Sequence, residues 1–390
     1  MFITTAPDLA AFCANARGES AIYLDTEFIG EESYHPRLEI IQIAAAGKIA
    51  IVDYPAIPDL SPLWALLADG AVEKVFHAGQ QDLALLARAS ESSLGNTFDT
   101  QIAAAFVGWG EQASYSDLVN AACGVRLSKS HTYSTWGRRP LSAAQLAYAE
   151  DDVRYLPEIT RQLKDGLARL GRVDWAKEEF EAQEKSAASG PVPGEDLYER
   201  VKGAMSLRPR ELAILREIAA WREDEAKRRD RPRQSILRDP ALVSLARHAP
   251  QSVNALRDIR SFPGHVVERY GRDLVDAVAR GLAMPKEQWP RKREKRETNG
   301  DTPMVVSLLQ TLVRLRASER EIAQGILARN NDLEELAVLG PKASEGDLRI
   351  LQGWRWDMVG RDLVRLLRGE TALAMDTASG RPAVVERTGA

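Results

Sequence analysis

The chain has 390 residues, 44% of them hydrophobic and 28% charged, with a net charge of -4. That balance excludes an intrinsically disordered chain and leaves room for two or three domains with cores of their own. The opening MFITTAPDLAAF carries no basic leader, and no apolar run reaches the roughly 18 to 20 residues of a membrane span, so a soluble, cytoplasmic protein with no membrane partner is expected.

The charge is unevenly divided. Residues 1–180 hold 15 Lys and Arg against 24 Asp and Glu, a net of -9, whereas residues 201–297 hold 23 against 14, a net of +9. An acidic first part points to metal or catalysis there, and a basic second part to a polyanionic partner or a solvated face. The two cysteines, Cys13 and Cys123, lack the paired spacing of a zinc site or disulfide framework and read as small apolar residues in a reducing compartment.

In chain order, strands are expected at 21–25, 39–45, 48–53 and 74–77, with a turn at Ala46-Gly47 making a hairpin of the second and third. The first three suggest an antiparallel meander. Helical patterns follow at 80–89, 100–107 and 116–123. Ser142 with Gln145 three residues on is a capping box, flanked by Leu141 and Leu146 as a hydrophobic staple, so a helix starts there and restarts at Pro157. Strands followed by alternating strand and helix imply a mixed sheet with helices on its faces.

The stretch EKSAASGPVPGE, 184–195, reads as a linker, and beyond it the strands disappear. Helices are expected at 210–229, 240–248, 252–259 and 263–282, then a second linker containing RKREKRE, and a further helical block from about 304 to 373. The two helical blocks are similar enough to suggest a diverged duplication. The closing DTASGRPAVVERTGA reads as a disordered tail.

Three short pieces carry chemistry. Asp25 and Glu27 are two apart on a strand, so both carboxylates leave one face, where they repel unless a cation lies between them. Such hard oxygen donors suit magnesium or manganese. In VFHAGQQDLALL, 75–86, a strand ends at His77, Ala78-Gly79 turns, and Asp82 falls in the first turn of a helix; the helix dipole alone would explain it. In YAEDDVRYL, 148–156, Tyr148 and Asp152 are one turn apart on one helix face, while Asp151 is rotated away by roughly 100°. Each piece alone also has an ordinary structural reading.

Taken in order, the three pieces resemble the DEDD exonuclease superfamily in its tyrosine branch, and within it ribonuclease D. Tyr34-His35-Pro36-Arg37-Leu38, Gln42, Phe98-Asp99-Thr100-Gln101, Lys129-Ser130 and Trp136-Gly137-Arg138-Arg139-Pro140-Leu141 add to the likeness. The helical block from about 195 to 285 resembles the HRDC domain that ribonuclease D shares with RecQ-type helicases. The resemblance implies an α/β, ribonuclease H-like 3′-5′ exonuclease domain with a mixed sheet, followed by two all-α HRDC-like domains. The expected boundaries are 1–183 for the exonuclease, 184–194 for a linker, 195–285 for the first HRDC domain, 286–303 for a basic linker, 304–375 for the second HRDC-like domain and 376–390 for the tail.

By position the resemblance makes Asp25, Glu27, Asp82 and Asp152 the ligands of two divalent cations, Mg²⁺ or Mn²⁺, and Tyr148 the catalytic tyrosine. Phe28, His77, Gln80 and Lys129 become the expected substrate contacts. The implied activity is trimming of precursor tRNA 3′ ends with release of 5′-mononucleotides, by a monomer whose partner is RNA. The basic run Lys227-Arg228-Arg229-Asp230-Arg231-Pro232-Arg233 offers phosphate contacts or a solvated helix end, and Trp221 and Tyr270 offer base stacking or core packing. Two other readings stay open: a DNA 3′-5′ exonuclease of proofreading or Werner type, and an inactive RNA-binding protein on the same fold. A metal-free acid/base hydrolase is disfavoured, because same-face strand neighbours leave no gap for a substrate between them.

Overall fold

The computed structural model describes residues 1–30, 33–127, 135–188, 194–260, 262–290 and 301–387. It opens on a two-residue strand, β1 (Phe2–Ile3), too short to show a pattern in sequence, and helix α1 (Ala6–Ala16), whose start is capped by the Thr5 side chain accepting from the Asp8 amide. The alternation of AIYLDTEFI becomes β2 (Ala21–Ile29), with Ile22 and Leu24 fully buried on one face and Tyr23, Asp25 and Glu27 half-buried on the other. Next come β3 (Arg37–Ala45) and β4 (Lys48–Asp53). Beyond Arg37 every residue of β3 is buried, as a strand covered on both faces requires.

Helix α2 (Ser61–Ala68), β5 (Glu73–Phe76), α3 (Gln80–Ser90), β6 (Thr97–Asp99), α4 (Thr100–Phe106) and α5 (Tyr115–Cys123) follow. The six strands lie in the order β1-β4-β3-β2-β5-β6. Pairing is parallel for β1 with β4, β2 with β5 and β5 with β6, and antiparallel for β3 with β4, so the sheet is mixed as expected. The capping box forms in full at Ser142 and Gln145, opening α6 (Ala143–Arg154). Helix α7 (Leu156–Arg169) begins anew with Pro157 in its first turn, where a missing amide proton costs nothing, and α8 (Val173–Ala188) runs into the segment expected to be the first linker.

The middle helical block comprises α9 (Pro209–Arg229), α10 (Arg233–Ile236), α11 (Asp239–His248), α12 (Val253–Arg257) and α13 (Gly264–Ala283). The last block begins with α14 (Thr302–Glu319), α15 (Gln324–Leu327) and α16 (Asn330–Leu339). Its helix lengths of 18, 4 and 10 residues follow the 21, 4 and 10 of α9 to α11. It closes with α17 (Gly353–Arg355), a π turn and α18 (Arg361–Leu367). Residues 371–386, expected as the end of this block and the start of a disordered tail, instead form an antiparallel hairpin, β7 (Thr371–Asp376) with β8 (Arg381–Glu386). The connecting DTASGR is polar, which made the segment read as unstructured, but Asp376 accepts from the Ser379 hydroxyl and the Ala378 amide and so closes the turn.

Two compact units result. One gathers Met1–Thr26, Ile40–Ala188 and the last helical block; the other gathers Glu27–Glu39 and the middle helical block. The last block, expected as a domain over 304–375, packs within the first of these units. Leu309, Leu312, Ile350 and Leu363 share one core with Phe106, Leu163 and Phe180 of the exonuclease region. Arg172, 6% exposed, donates to the carbonyls of Phe106, Arg320 and Glu321, and Trp175 stacks on Trp354 at 5.1 Å.

Candidate active site

Tyr23 packs with Ala44, Val153 and Leu156, so the face of β2 that carries Asp25 and Glu27 runs beneath the junction of α6 and α7. The Ser142 cap fixes the register of α6, and that register puts Tyr148 and Asp152 one above the other. The Tyr148 ring lies 6.2 Å from Trp136 in a cluster with Ile40, Leu141 and Ala149. Asp151 turns away as its rotation implied, to the Arg154 guanidinium at 2.9 Å.

Tyr115 joins these elements. Its hydroxyl donates to the Asp151 carbonyl at 2.8 Å and accepts from the Tyr155 amide at 3.3 Å. Burial pushes its phenol well above the ordinary value, and the charges of Asp152, Asp25 and Asp151 push it further. Asp25 from β2 and Asp152 from α6 thus bear on one point. The His77 ring stands 5.6 Å from Tyr115, with Nδ1 3.0 Å from the Thr100 hydroxyl. Burial lowers the His77 pKa more than the Asp99 charge raises it, which favours the neutral ring.

Asp82 reaches the site through a turn that a second carboxylate organises. Ala78 adopts φ 54°, and a Cβ on Gly79 would fall 2.4 Å from the Phe76 Cβ, so no larger residue fits. Asp99, 1% exposed, accepts from the amides of Ala78 at 3.1 Å and Gly79 at 2.9 Å and from the Gln183 side chain at 2.8 Å, while also capping α4. The Asp82 carboxylate is 9% exposed and accepts from the Thr26 hydroxyl, beside the residues of interest on β2. Burial raises its pKa; the Thr26 bond opposes that and the Asp99 charge adds to it.

Among the described residues, no three acidic side chains form a ready-made metal cage. The donor set nevertheless fits a hard divalent cation. The charges of carboxylates on β2 and α6 both act on Tyr115, a third is buried beside Thr26, and oxygen donors of this kind are what Mg²⁺ and Mn²⁺ take.

Residues 1–168 match the 3′-5′ exonuclease family, and residues 211–278 match the HRDC domain. Ribonuclease D of Gluconacetobacter diazotrophicus is 38% identical over 379 residues, covering 96% of this chain and 95% of that protein. Ribonuclease D of Nitrobacter hamburgensis is 36% identical over 388 residues, covering 99% of each. The chain belongs to the ribonuclease D family. The crystal structure of Escherichia coli RNase D, titled an exoribonuclease involved in structured RNA processing, is similar at a TM-score of 0.84 and 29% identity, covering 95% of this chain and 98% of that one. Membership in the ribonuclease D family makes this chain a 3′-5′ exoribonuclease, a phosphodiester hydrolase whose exonuclease region is joined to an HRDC domain.

The residues that the ribonuclease D resemblance nominated for substrate are placed differently from one another. His77 stands beside Tyr115 at the site. Gln80 is exposed, and its side chain donates to the Ser186 hydroxyl of α8 at 3.0 Å. Phe28 is half-buried on the face of β2 opposite Glu27. Lys129 and Ser130 lie outside the described residues, as does the RKREKRE run.

In the middle helical block, Arg228 and Arg229 pair with Glu225, and Arg233 pairs with Glu223. Arg228 stays 65% exposed in its pair, and exposed pairs of this kind are weak, so they leave both the structural and the phosphate reading open. Trp221 and Tyr270 meet edge to face at 5.3 Å; Tyr270, 6% exposed, belongs to the core, and Trp221 is half-buried against it. Sequence reasoning missed Tyr115 and Thr26 entirely and gave Asp99 no role; their parts depend on partners distant in the chain.

Proposed function

We propose that this exoribonuclease trims the 3′ ends of precursor tRNAs, acting as a cytoplasmic monomer and releasing 5′-mononucleotides. Asp25, Glu27, Asp82 and Asp152 are the residues that would hold two divalent cations. When bound, such a pair supplies Lewis acidity to the scissile phosphate and a lowered pKa to the attacking water. The observation that carries the reading is the convergence of the Asp25 and Asp152 charges on Tyr115. The full set Asp-x-Glu, Asp and Tyr-x-x-x-Asp, in a chain that matches ribonuclease D over nearly its whole length, supports it as well.

Asp25, Glu27 and Asp152 would supply carboxylates at the site, and Asp82 adds one that Thr26 orients. Tyr148, one turn before Asp152, orients the attacking water through its phenol. A phenol with an ordinary pKa of about 10 is a poor base at neutral pH, so positioning is its chief contribution. Asp99 and Gly79 shape the turn ahead of Asp82, and Tyr115 fixes the end of α6.

The test presents a 3′-extended precursor tRNA and a matched single-stranded DNA to the enzyme with Mg²⁺ or Mn²⁺. Shortening of the tRNA from its 3′ end to the mature length, with little action on DNA, is expected. Hydrolysis confined to DNA would favour a proofreading or Werner type of enzyme. Binding to RNA without hydrolysis would mark an inactive RNA-binding protein on this fold.

A further inference from the structure

The side chain of Gln42 is fully buried on β3, and neither its Nε2 nor its Oε1 has a hydrogen-bond partner in the described protein. A buried amide with both ends unsatisfied is unfavourable, and a catalytic role or a bound ion or water is among the reasons such a group persists.

Its position says which state. Strand alternation puts Ile40, Gln42 and Ala44 on one face of β3. Ile40 packs with Tyr148 and Ala149, and Ala44 packs with Val153 and Leu156. Ile51, the antiparallel partner of Gln42 on β4, belongs to the Tyr148 and Ala149 cluster too. Gln42 therefore lies under the turn of α6 from Ala149 to Val153, the turn that carries Asp152. On the neighbouring strand β2, Tyr23 meets Ala44 on this same face, and Asp25 and Gln42 each stand two residues from that contact.

We infer that Gln42 is a positioning residue of the metal site, an inference that rests on the functional reading above. In the loaded enzyme its amide nitrogen donates to a metal-bearing carboxylate and its carbonyl accepts from the hydration shell of the cation, which Mg²⁺ keeps in part when bound by few carboxylates. Partners of this kind orient ligands without touching the metal. A structural glutamine would be satisfied by protein groups; among the described residues this one is not.

The experiment measures Mn²⁺ binding by titration calorimetry, without RNA, and thermal melting of the chelated full chain. Wild type, Gln42→Leu and Gln42→Met are compared. Replacing an unsatisfied amide by an apolar group should leave metal-free melting unchanged or raise it, while Mn²⁺ affinity falls by about 10- to 100-fold, as for other outer partners of metal ligands. Gln42→Met, unbranched and close in volume, serves if the leucine variant does not fold. Unchanged Mn²⁺ affinity, or lower metal-free melting in both variants, would overturn the inference. A wild-type chain that binds no Mn²⁺ would instead overturn the metal reading itself, and this inference with it.

Discussion

Replacing Glu179 by alanine should detach the last helical block from the exonuclease region energetically. The Glu179 side chain on α8 is 14% exposed and lies between Arg355, 5% exposed, and Arg349, 33% exposed. Arg349 donates to both of its oxygens, at 3.1 and 3.0 Å, and keeps a second carboxylate, Asp332, at 3.6 Å. Among the described residues, Arg355 would keep the Ile326 carbonyl at 3.1 Å and the Trp354 ring at 4.0 Å. Burial pulls its pKa down, and Glu179 offsets this only in part. Stranding such a buried guanidinium costs about 3 to 5 kcal/mol, which for a unit of this size lowers Tm by about 10 °C.

Circular dichroism melting at pH 7 measures that loss. Glu179→Leu combined with Arg355→Met should recover most of it, since apolar replacement of a buried pair is often neutral. The pH dependence has a definite sign. Burial would raise the Glu179 carboxyl, but Arg355 and Arg349 outweigh it and hold the folded pKa below the ordinary value. The contribution is therefore complete above the unfolded pKa, about 4.3, and is lost as pH falls through the folded one. A loss below about 1 kcal/mol for Glu179→Ala would refute the reasoning, because that is the worth of an exposed pair.

Asp99→Ala leaves the amides of Ala78 and Gly79 without their acceptor; urea melts should show a loss of about 2 to 4 kcal/mol, and RNA hydrolysis should fall by at least about tenfold as the turn ahead of Asp82 loosens. Tyr34→Phe removes a hydroxyl that donates to Glu223 and accepts from Arg233 at 3.2 Å. At this half-buried position the middle helical block should lose about 1 kcal/mol in urea, and a loss within error would assign Tyr34 a packing role alone. Tyr148→Phe should keep Mn²⁺ affinity by calorimetry and lower kcat by about 100-fold; full turnover would remove the phenol from the reaction.

Where the sequence carried a period or a cap, the structure followed it. The alternation in AIYLDTEFI placed Asp25 and Glu27 on one face, and the Ser142 and Gln145 box set the register that brings Tyr148 and Asp152 together. The rest depended on partners that no local pattern names. Tyr115 becomes a site residue only because β2 and α6 meet there, and Asp99 only because its strand runs beside β5. The docking of the last block was equally hidden. Trp175 and Trp354, 179 positions apart in the chain, look like separate amphipathic faces until they stack. A polar hairpin loop likewise made β7 and β8 read as a tail.

The measurement that bears most directly on the central claim follows RNA labelled at its 5′ end and, separately, at its 3′ end, with Mg²⁺ and with chelator, for wild type and Asp25→Asn. The 3′ label should leave at once as a mononucleotide while the 5′-labelled strand shortens one step at a time, and chelation or Asp25→Asn should abolish both. Hydrolysis that survives chelator and substitution alike would contradict that claim.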